Sequence, residues 1–93
     1  MIKSTHTTFY QAFRAKIVRM RKDAGISQRE LAQRLGREHS FVARMELGDR
    51  RIDIVELCWI SLALGQEPEV VLKDLLSEFR QRGLKAPRSK PKR

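Results

Sequence analysis

The chain has 93 residues and a net charge of +9 at neutral pH, and 41% of its residues are hydrophobic. This length suits one small domain, and the single cysteine excludes an internal disulfide framework or a multi-cysteine zinc site. The longest strongly apolar run, 58–65, is too short to cross a bilayer, and residues 1–10 lack the apolar stretch of a signal peptide. We therefore expect a cytoplasmic protein without membrane contact, metal or cofactor.

The basic charge lies in two separate segments of the chain. Residues 14–51 carry eleven Lys or Arg side chains against five Asp or Glu, and residues 83–93 carry five basic side chains and no acidic one. The segment between them, 52–82, has three basic side chains against six acidic ones. This pattern favours a polyanion as partner, and charge that serves only solubility is the alternative.

The sequence predicts five helices and contains no strand pattern. The first helix begins at a capping box, with Thr8 as N-cap and Gln11 at its third position, and it closes at Gly25. Apolar side chains at helical spacing give it one inner face. The second helix begins at another capping box, residues 27–30, and ends at Gly36.

The remaining helices follow from apolar periodicity and from the residues that bound them. The third covers roughly 39–47. The fourth begins after the cap-like Asp53 and is apolar on nearly every side, which indicates a central position. Within it, Cys58 is expected in the core, whereas Trp59 is either a core residue or a hot spot in a dimer interface. The fifth helix begins near Pro68.

The fifth helix has a broader apolar face than a small core needs. That face predicts contact with a second protomer, and hence a homodimer, through Val71, Leu72, Leu75, Leu76 and Phe79. Residues 83–93 contain two prolines and no apolar period, which is typical of disorder. The predicted organisation is therefore one domain, 8–82, followed by a disordered basic tail, 83–93.

The third helix combines a short apolar stripe with a mixed set of outward side chains. Val42 and Met45 share one side of a helical wheel, and the opposite side carries His39, Ser40, Ala43 and Arg44. Arginine can donate two hydrogen bonds to guanine, and a small apolar group can contact the thymine methyl. The set therefore suits base edges in a major groove, and an ordinary solvated face is the alternative.

Residues 25–65 resemble the helix-turn-helix domain of the Cro/cI-type (xenobiotic-response-element) regulators of bacteria and phages. The match runs from about residue 13 to residue 76. It includes Arg21, Gly25–Gln28, Leu31, Ala32, Leu35, Gly36, Val42, Glu46, Gly48, Leu57 and Ala63–Gly65. The resemblance implies an all-α, five-helix, lambda-repressor-like fold in which the second and third helices bind DNA and the third enters the major groove.

The resemblance also implies a role for particular positions. It places phosphate contacts at Gln28, Arg50 and Arg51, base contacts at His39, Ser40 and Arg44 with Ala43 and Phe41 beside them, and a pair between Arg21 and Glu46. We interpret that pair as structural, because it ties the first helix to the third. Two acidic residues depart from the family pattern. Glu38 is expected to cap the third helix through its dipole rather than contact cytosine, and Asp49 weakens the local attraction for DNA.

These observations predict a sequence-specific regulator of transcription that binds double-stranded DNA. The resemblance implies a repressor, and the broad apolar face of the fifth helix predicts that it acts as a homodimer, on a near-palindromic operator. The alternatives are an antitoxin or other protein-binding module, whose main partner is a toxin or another regulator, and a nonspecific architectural DNA binder. Ser27 and Asp53 are better explained as N-caps than as catalytic groups, and no nucleophile has a neighbouring base. We therefore expect no enzymatic activity.

Overall fold

The computed structural model describes residues 7–85 of the chain. Within that range it has no strand and five helices, α1 (Thr8–Asp23), α2 (Gln28–Arg34), α3 (His39–Leu47), α4 (Ile54–Ala63) and α5 (Pro68–Gln81). The predicted all-α, five-helix fold is confirmed. Of the predicted tail, only residues 83–85 are described, as a turn followed by two residues without regular structure; 86–93 lie outside the described residues.

Hydroxyl side chains set where the first two helices begin. The N-cap of α1 is Thr7, whose hydroxyl accepts a 3.1 Å hydrogen bond from the Tyr10 backbone N–H. The prediction of Thr8 as N-cap is wrong by one residue, because adjacent threonines have the same capping chemistry and the earlier start lengthens the helix. Ser27 caps α2 as predicted, and its hydroxyl accepts from the Glu30 backbone N–H at 3.1 Å.

One apolar core joins all five helices. α1 packs against α3 and α5, α2 packs against α3 and α4, and α4 packs against α5. The buried side chains of this core are Ile17, Met20, Leu31, Ala32, Phe41, Val42, Met45, Ile52, Leu57, Ile60, Leu64, Val71 and Leu75. Because α3 has only nine residues, its position depends on this packing rather than on its own helical stability.

Two residues predicted for a dimer interface lie in the core instead. Val71 and Leu75 are 1% and 2% exposed, so the prediction that they contact a second protomer is wrong. Their side chains are needed where α5 packs on the rest of the domain. Phe79 is part-buried, and its ring packs edge-on against an α1 phenylalanine with centroids 5.7 Å apart. Leu76 is also part-buried, which leaves Leu72 as the exposed member of the set.

The fourth helix is not central, contrary to the prediction. One side of α4 is buried, but Val55, Trp59 and Leu62 on the other side are 51%, 54% and 59% exposed. Trp59 is thus not a core residue, and Cys58 is half-buried rather than enclosed. The physical reason is size, because a domain of five short helices covers only one side of α4 even though its sequence is apolar all round.

Candidate nucleic-acid interface

A sharp turn, residues 35–38, joins α2 to α3. The Arg37 backbone N–H donates to the Ala32 carbonyl at 2.9 Å, and this hydrogen bond closes the turn. Val42 and Met45 are fully buried, so the apolar stripe of α3 faces the core. Helical geometry then fixes which side of α3 is turned toward solvent.

The four predicted base-reading residues occupy that outer side. His39, Ser40 and Arg44 are exposed, and Ala43 is partly buried between them. A concavity of about 420 Å³ opens beside α3, lined by Gly36, Arg37, Glu38, Ser40, Phe41, Arg44 and Arg50. Three arginines against one glutamate make this surface basic, as contact with a polyanion requires.

A buried ion pair fixes α3 to α1. Arg21 donates to Glu46 from Nε to Oε2 at 2.6 Å and from Nη2 to Oε1 at 2.9 Å. A third hydrogen bond runs from Arg21 Nη1 to the Ile26 carbonyl at 2.9 Å. Hydrogen bonding to Glu46 raises the pKa of Arg21. The structure therefore brings together the two residues that the resemblance pairs, beneath the exposed side of α3.

Gln28 and His39 continue this pair toward the surface. Gln28 Nε2 donates to Glu46 Oε1 at 2.8 Å, and Gln28 Oε1 lies 3.1 Å from His39 Nε2. A predicted phosphate ligand and a predicted base reader are thus joined to the structural pair in one network. Sequence reasoning missed this connection, because the contacting pairs of the network are separated by 11, 18 and 25 positions along the chain and no local pattern relates them.

Arg14 is a further residue of the site that the sequence reasoning missed. Its Nη1 donates to the Glu46 backbone carbonyl at 2.6 Å, near the C-terminal end of α3. Gly48 ends that helix in the left-handed conformation, with φ of 86°. A Cβ at Gly48 would lie 3.2 Å from Arg14 Nε, so the glycine leaves room for the arginine to satisfy a free carbonyl of α3.

Arg50, a predicted phosphate contact, pairs with a buried carboxylate. Its Nη1 donates to Glu56 Oε1 at 2.9 Å and its Nη2 donates to Glu56 Oε2 at 2.7 Å. Hydrogen bonding to Arg50 lowers the pKa of Glu56 below its usual range. Glu56 also forms a capping box at the start of α4 with Asp53, the predicted N-cap. Arg50 therefore ties the loop after α3 to α4, and its phosphate contact stays a prediction.

Aromatic contacts position the two arginines that flank α3. Phe41 is buried, and the guanidinium groups of Arg37 and Arg50 lie over its ring at 4.0 and 4.4 Å from the centroid. Such cation–π contacts hold a guanidinium close to the ring face. The exposed Arg51 follows in the same loop, and Tyr10 anchors the loop to α1 by accepting from the Ile52 N–H at 2.7 Å.

Glu38 occupies the N-cap position of α3 but makes no side-chain cap hydrogen bond. Its Oε1 lies 3.5 Å from Ser40 Oγ, which is long for a hydrogen bond. A glutamate side chain is one methylene longer than that of aspartate, and aspartate rather than glutamate is preferred at the N-cap. The expected contribution of Glu38 is therefore limited to the charge that it places at the helix N-terminus.

Residues 7–85 hold neither a cluster of metal ligands nor a membrane-spanning helix. In this part of the chain no group of three or more His, Cys, Asp or Glu side chains is arranged to hold a metal ion. None of the helices described there is long and apolar enough to cross a membrane.

Comparison with known proteins places this geometry in a family. The model of the HTH_3 helix-turn-helix family matches residues 17–71, more than half of the chain. The chain belongs to the HTH_3 family. Among solved structures, an XRE-family like protein from Pseudomonas syringae pv. tomato str. DC3000 is similar to this HTH_3 protein, with 38% sequence identity and a TM-score of 0.75. The similarity covers 78% of this chain and 89% of that one. No curated protein matches the chain.

The family match covers the parts of the molecule that carry the basic surface. Residues 17–71 include all of α2, α3 and α4 and the buried pair behind them. This HTH_3 protein is accordingly a transcription regulator that binds double-stranded DNA. Regulators of the family are typically non-enzymatic.

Proposed function

We propose that this HTH_3 protein is a sequence-specific repressor that acts as a homodimer on a near-palindromic operator. One observation carries the proposal of sequence specificity. α3 is anchored by the buried Arg21–Glu46 pair on its inner side and exposes a chemically mixed set on its outer side. A surface that only gripped phosphates would need Lys and Arg alone, whereas base edges differ in their donors, acceptors and methyl groups.

In this proposal α3 lies in the major groove. The exposed guanidinium of Arg44 donates two hydrogen bonds to a guanine, Ser40 donates or accepts at a neighbouring base, and the partly buried Ala43 allows a close approach. Arg51 and Gln28 contact backbone phosphates on the two flanks. The ion pair to Glu56 already uses N–H donors on both Nη atoms of Arg50. Only its other N–H donors can reach a phosphate, so Arg50 contributes mainly by holding the loop.

The dimer uses the exposed side of α4, defined here by Val55, Cys58, Trp59 and Leu62 and called the α4 face. These residues recur at helical spacing on one side. The only charged residue of α4, Glu56, is turned inward and paired with Arg50. The α4 face is therefore uncharged and apolar, unlike the basic surface beside α3, and it fits protein rather than DNA.

The occupant proposed for the α4 face is a second copy of this chain. The centre of the face lies between Cys58 and Trp59, with Val55 and Leu62 at equal distances along the helix on either side. Two such helices packed antiparallel bring Val55 against Leu62 of the second copy at both ends. An isologous interface requires this kind of self-complementarity. The tryptophan at its centre is a residue type enriched among binding hot spots.

Selection of bound sites from random duplexes tests the proposal. A dimer of this kind selects two inverted half-sites whose centres lie about 10 bp apart, or a multiple of that. The repressor assignment predicts lower expression of a reporter with the selected site in its promoter. A single asymmetric half-site, occupied at saturation by one chain, contradicts the homodimer. That result, together with a stable complex between the α4 face and another protein, would favour the protein-binding alternative.

A further inference from the structure

Four side chains form one continuous hydrogen-bonded row from the core to the exposed side of α3. Arg21 donates twice to Glu46, at 2.6 and 2.9 Å. Gln28 Nε2 lies 2.8 Å from the same carboxylate, and Gln28 Oε1 lies 3.1 Å from His39 Nε2. Arg21 and Glu46 are buried, Gln28 is part-buried and His39 is exposed. The row thus ends at a residue that faces the major groove in the proposed function.

The direction of each hydrogen bond follows from the one before it. A guanidinium has hydrogen-bond donors only, so Glu46 accepts both hydrogen bonds from Arg21. The ionised Glu46 carboxylate has no hydrogen to donate, so Gln28 turns its NH₂ group toward Glu46 and its carbonyl oxygen toward His39. That oxygen also accepts only. His39 Nε2 therefore carries a hydrogen and donates it to Gln28.

We propose that this row makes His39 a base reader of defined polarity. With Nε2–H held by Gln28, the neutral imidazole presents Nδ1 to the DNA as an acceptor. An acceptor in the major groove selects an exocyclic amino group, N6 of adenine or N4 of cytosine. This inference rests on the proposed function, because it requires α3 to lie in the major groove.

Protonation changes the hydrogen-bonding role of one ring atom of His39, Nδ1, from acceptor to donor. The added hydrogen goes to Nδ1, while the Nε2–H bond to Gln28 persists because it is made in both charge states. The imidazolium then donates from Nδ1, which suits N7 or O6 of guanine. Imidazole side chains ordinarily change charge between about pH 5 and 8. The protonated ring therefore favours guanine where the neutral ring favours adenine or cytosine.

The charges around the ring are compatible with both states. The side chain that contacts the ring from α2 is Gln28, which is uncharged. Behind it, Glu46 of α3 and Arg21 of α1 offset each other as a bidentate pair. Glu38 precedes the ring in the chain and is exposed. Gln28 and Glu46 act here as positioning residues, since neither meets the base itself.

The test uses the full chain and an operator selected at pH 8. His39→Ala first identifies the base pair that the ring reads, as the pair at which discrimination is lost. Affinities for the four duplexes that differ at that pair are then measured by fluorescence anisotropy at pH 8 and pH 5.5. We expect adenine or cytosine to be preferred at pH 8, and the preference to move about tenfold toward guanine at pH 5.5.

Two variants separate the polarity of His39 from a merely structural effect. Gln28→Met keeps the length of the side chain but offers no acceptor, so the ring turns freely and discrimination at this pair falls severalfold. A lost phosphate contact would lower the affinity for all four duplexes equally, so it leaves these ratios unchanged. His39→Gln cannot change charge in this range, and its preference is expected to be the same at both pH values.

Each other outcome overturns the inference. A wild-type preference that is unchanged between pH 8 and 5.5 excludes the change of polarity. Full discrimination in Gln28→Met excludes the role of the row. If His39→Ala keeps every base preference of the wild type, His39 is not a reader. Selection of a symmetric operator would then still support the proposed function. Equal affinity for every duplex, with no operator selected, would contradict both the proposed function and this inference about His39.

Discussion

Arg21 of α1 and Glu46 of α3 meet in two hydrogen bonds of 2.6 and 2.9 Å, with side chains only 10% and 7% exposed. This contact joins the longest helix to the helix that faces DNA in our proposal. Removing one partner leaves the other charge buried without compensation, and such losses cost about 3–5 kcal/mol. The pair therefore decides whether α3 is held in place.

Glu46→Ala is expected to lower the thermal stability strongly, because Arg21 then remains buried beside an apolar side chain. The measurement is the midpoint of thermal unfolding by circular dichroism. The double variant Arg21→Met with Glu46→Leu is the matched control, and it is expected to recover part of the loss since no unpaired charge remains. An unchanged midpoint with an altered base preference would show that Glu46 is itself a reader.

The pairing of Arg50 with Glu56 predicts a pH dependence of folding. The pKa of Glu56 is lowered from about 4.5 in the folded protein, so the ionised carboxylate stabilises the fold above that value. The contribution is lost as the pH falls through the lower folded value. Urea unfolding of wild type and Glu56→Gln between pH 7 and 3 should give free energies that differ at pH 7 and converge toward pH 3. Glu69→Gln, at an exposed carboxylate, is the control, and an equally large effect there would refute this assignment.

Gly48 and Gly65 offer a matched test of the contact with Arg14. Both have positive φ, 86° and 76°, but only a Cβ at Gly48 meets another side chain, at 3.2 Å. Gly65→Ala is expected to cost about 1–2 kcal/mol through backbone strain alone. Gly48→Ala should cost more, and in addition weaken operator binding because Arg14 is displaced from the end of α3. Equal losses of unfolding free energy, with normal DNA binding, would mean that Arg14 does not position α3.

The α4 face predicts which substitutions separate the protomers. Leu62→Lys replaces an exposed apolar side chain with a charged one. Because Leu62 is not part of the core, the fold is expected to survive while the dimer is weakened. Sedimentation equilibrium should show mostly monomer, and affinity for a full operator should fall at least tenfold. Val70→Lys is the control, since Val70 is comparably exposed on α5. If both variants stay dimeric, the second copy binds elsewhere.

The sequence predicted the parts of this molecule that depend on local chemistry. The N-caps at Ser27 and Asp53 and the inner side of α3 at Val42 and Met45 follow from side-chain type and helical period. The five-helix fold follows from the same signals. Among these local predictions only that of Thr8 as the N-cap of α1 was wrong, because the neighbouring Thr7 has the same capping chemistry.

Features that depend on tertiary packing could not be predicted in this way. Periodicity shows that a helix face is apolar, but it does not show which of two apolar faces is covered. Val71 was therefore expected at the surface and Cys58 in the core, and the structure has Val71 in the core and Cys58 half-buried. The pairing of Arg50 with Glu56 and the contact of His39 with Gln28 arise only when the helices are packed.

The central claim is that α3 reads bases, and Arg44 tests it most directly. Arg44→Ala should cost about 1–3 kcal/mol at the selected operator and relax the preference at one or two base pairs per half-site. Deletion of residues 86–93, which carry four basic side chains and no acidic one, is the comparison. It should weaken binding to all duplexes by a similar factor and flatten the salt dependence.

The deciding measurement is fluorescence anisotropy of wild type and Arg44→Ala on operator and scrambled duplexes at several salt concentrations. Our account predicts that Arg44→Ala lowers affinity for the operator at least fivefold more than affinity for the scrambled duplex. An equal loss on both duplexes, with a flatter salt dependence, would mean that Arg44 grips phosphate. That result would contradict the claim that α3 reads sequence.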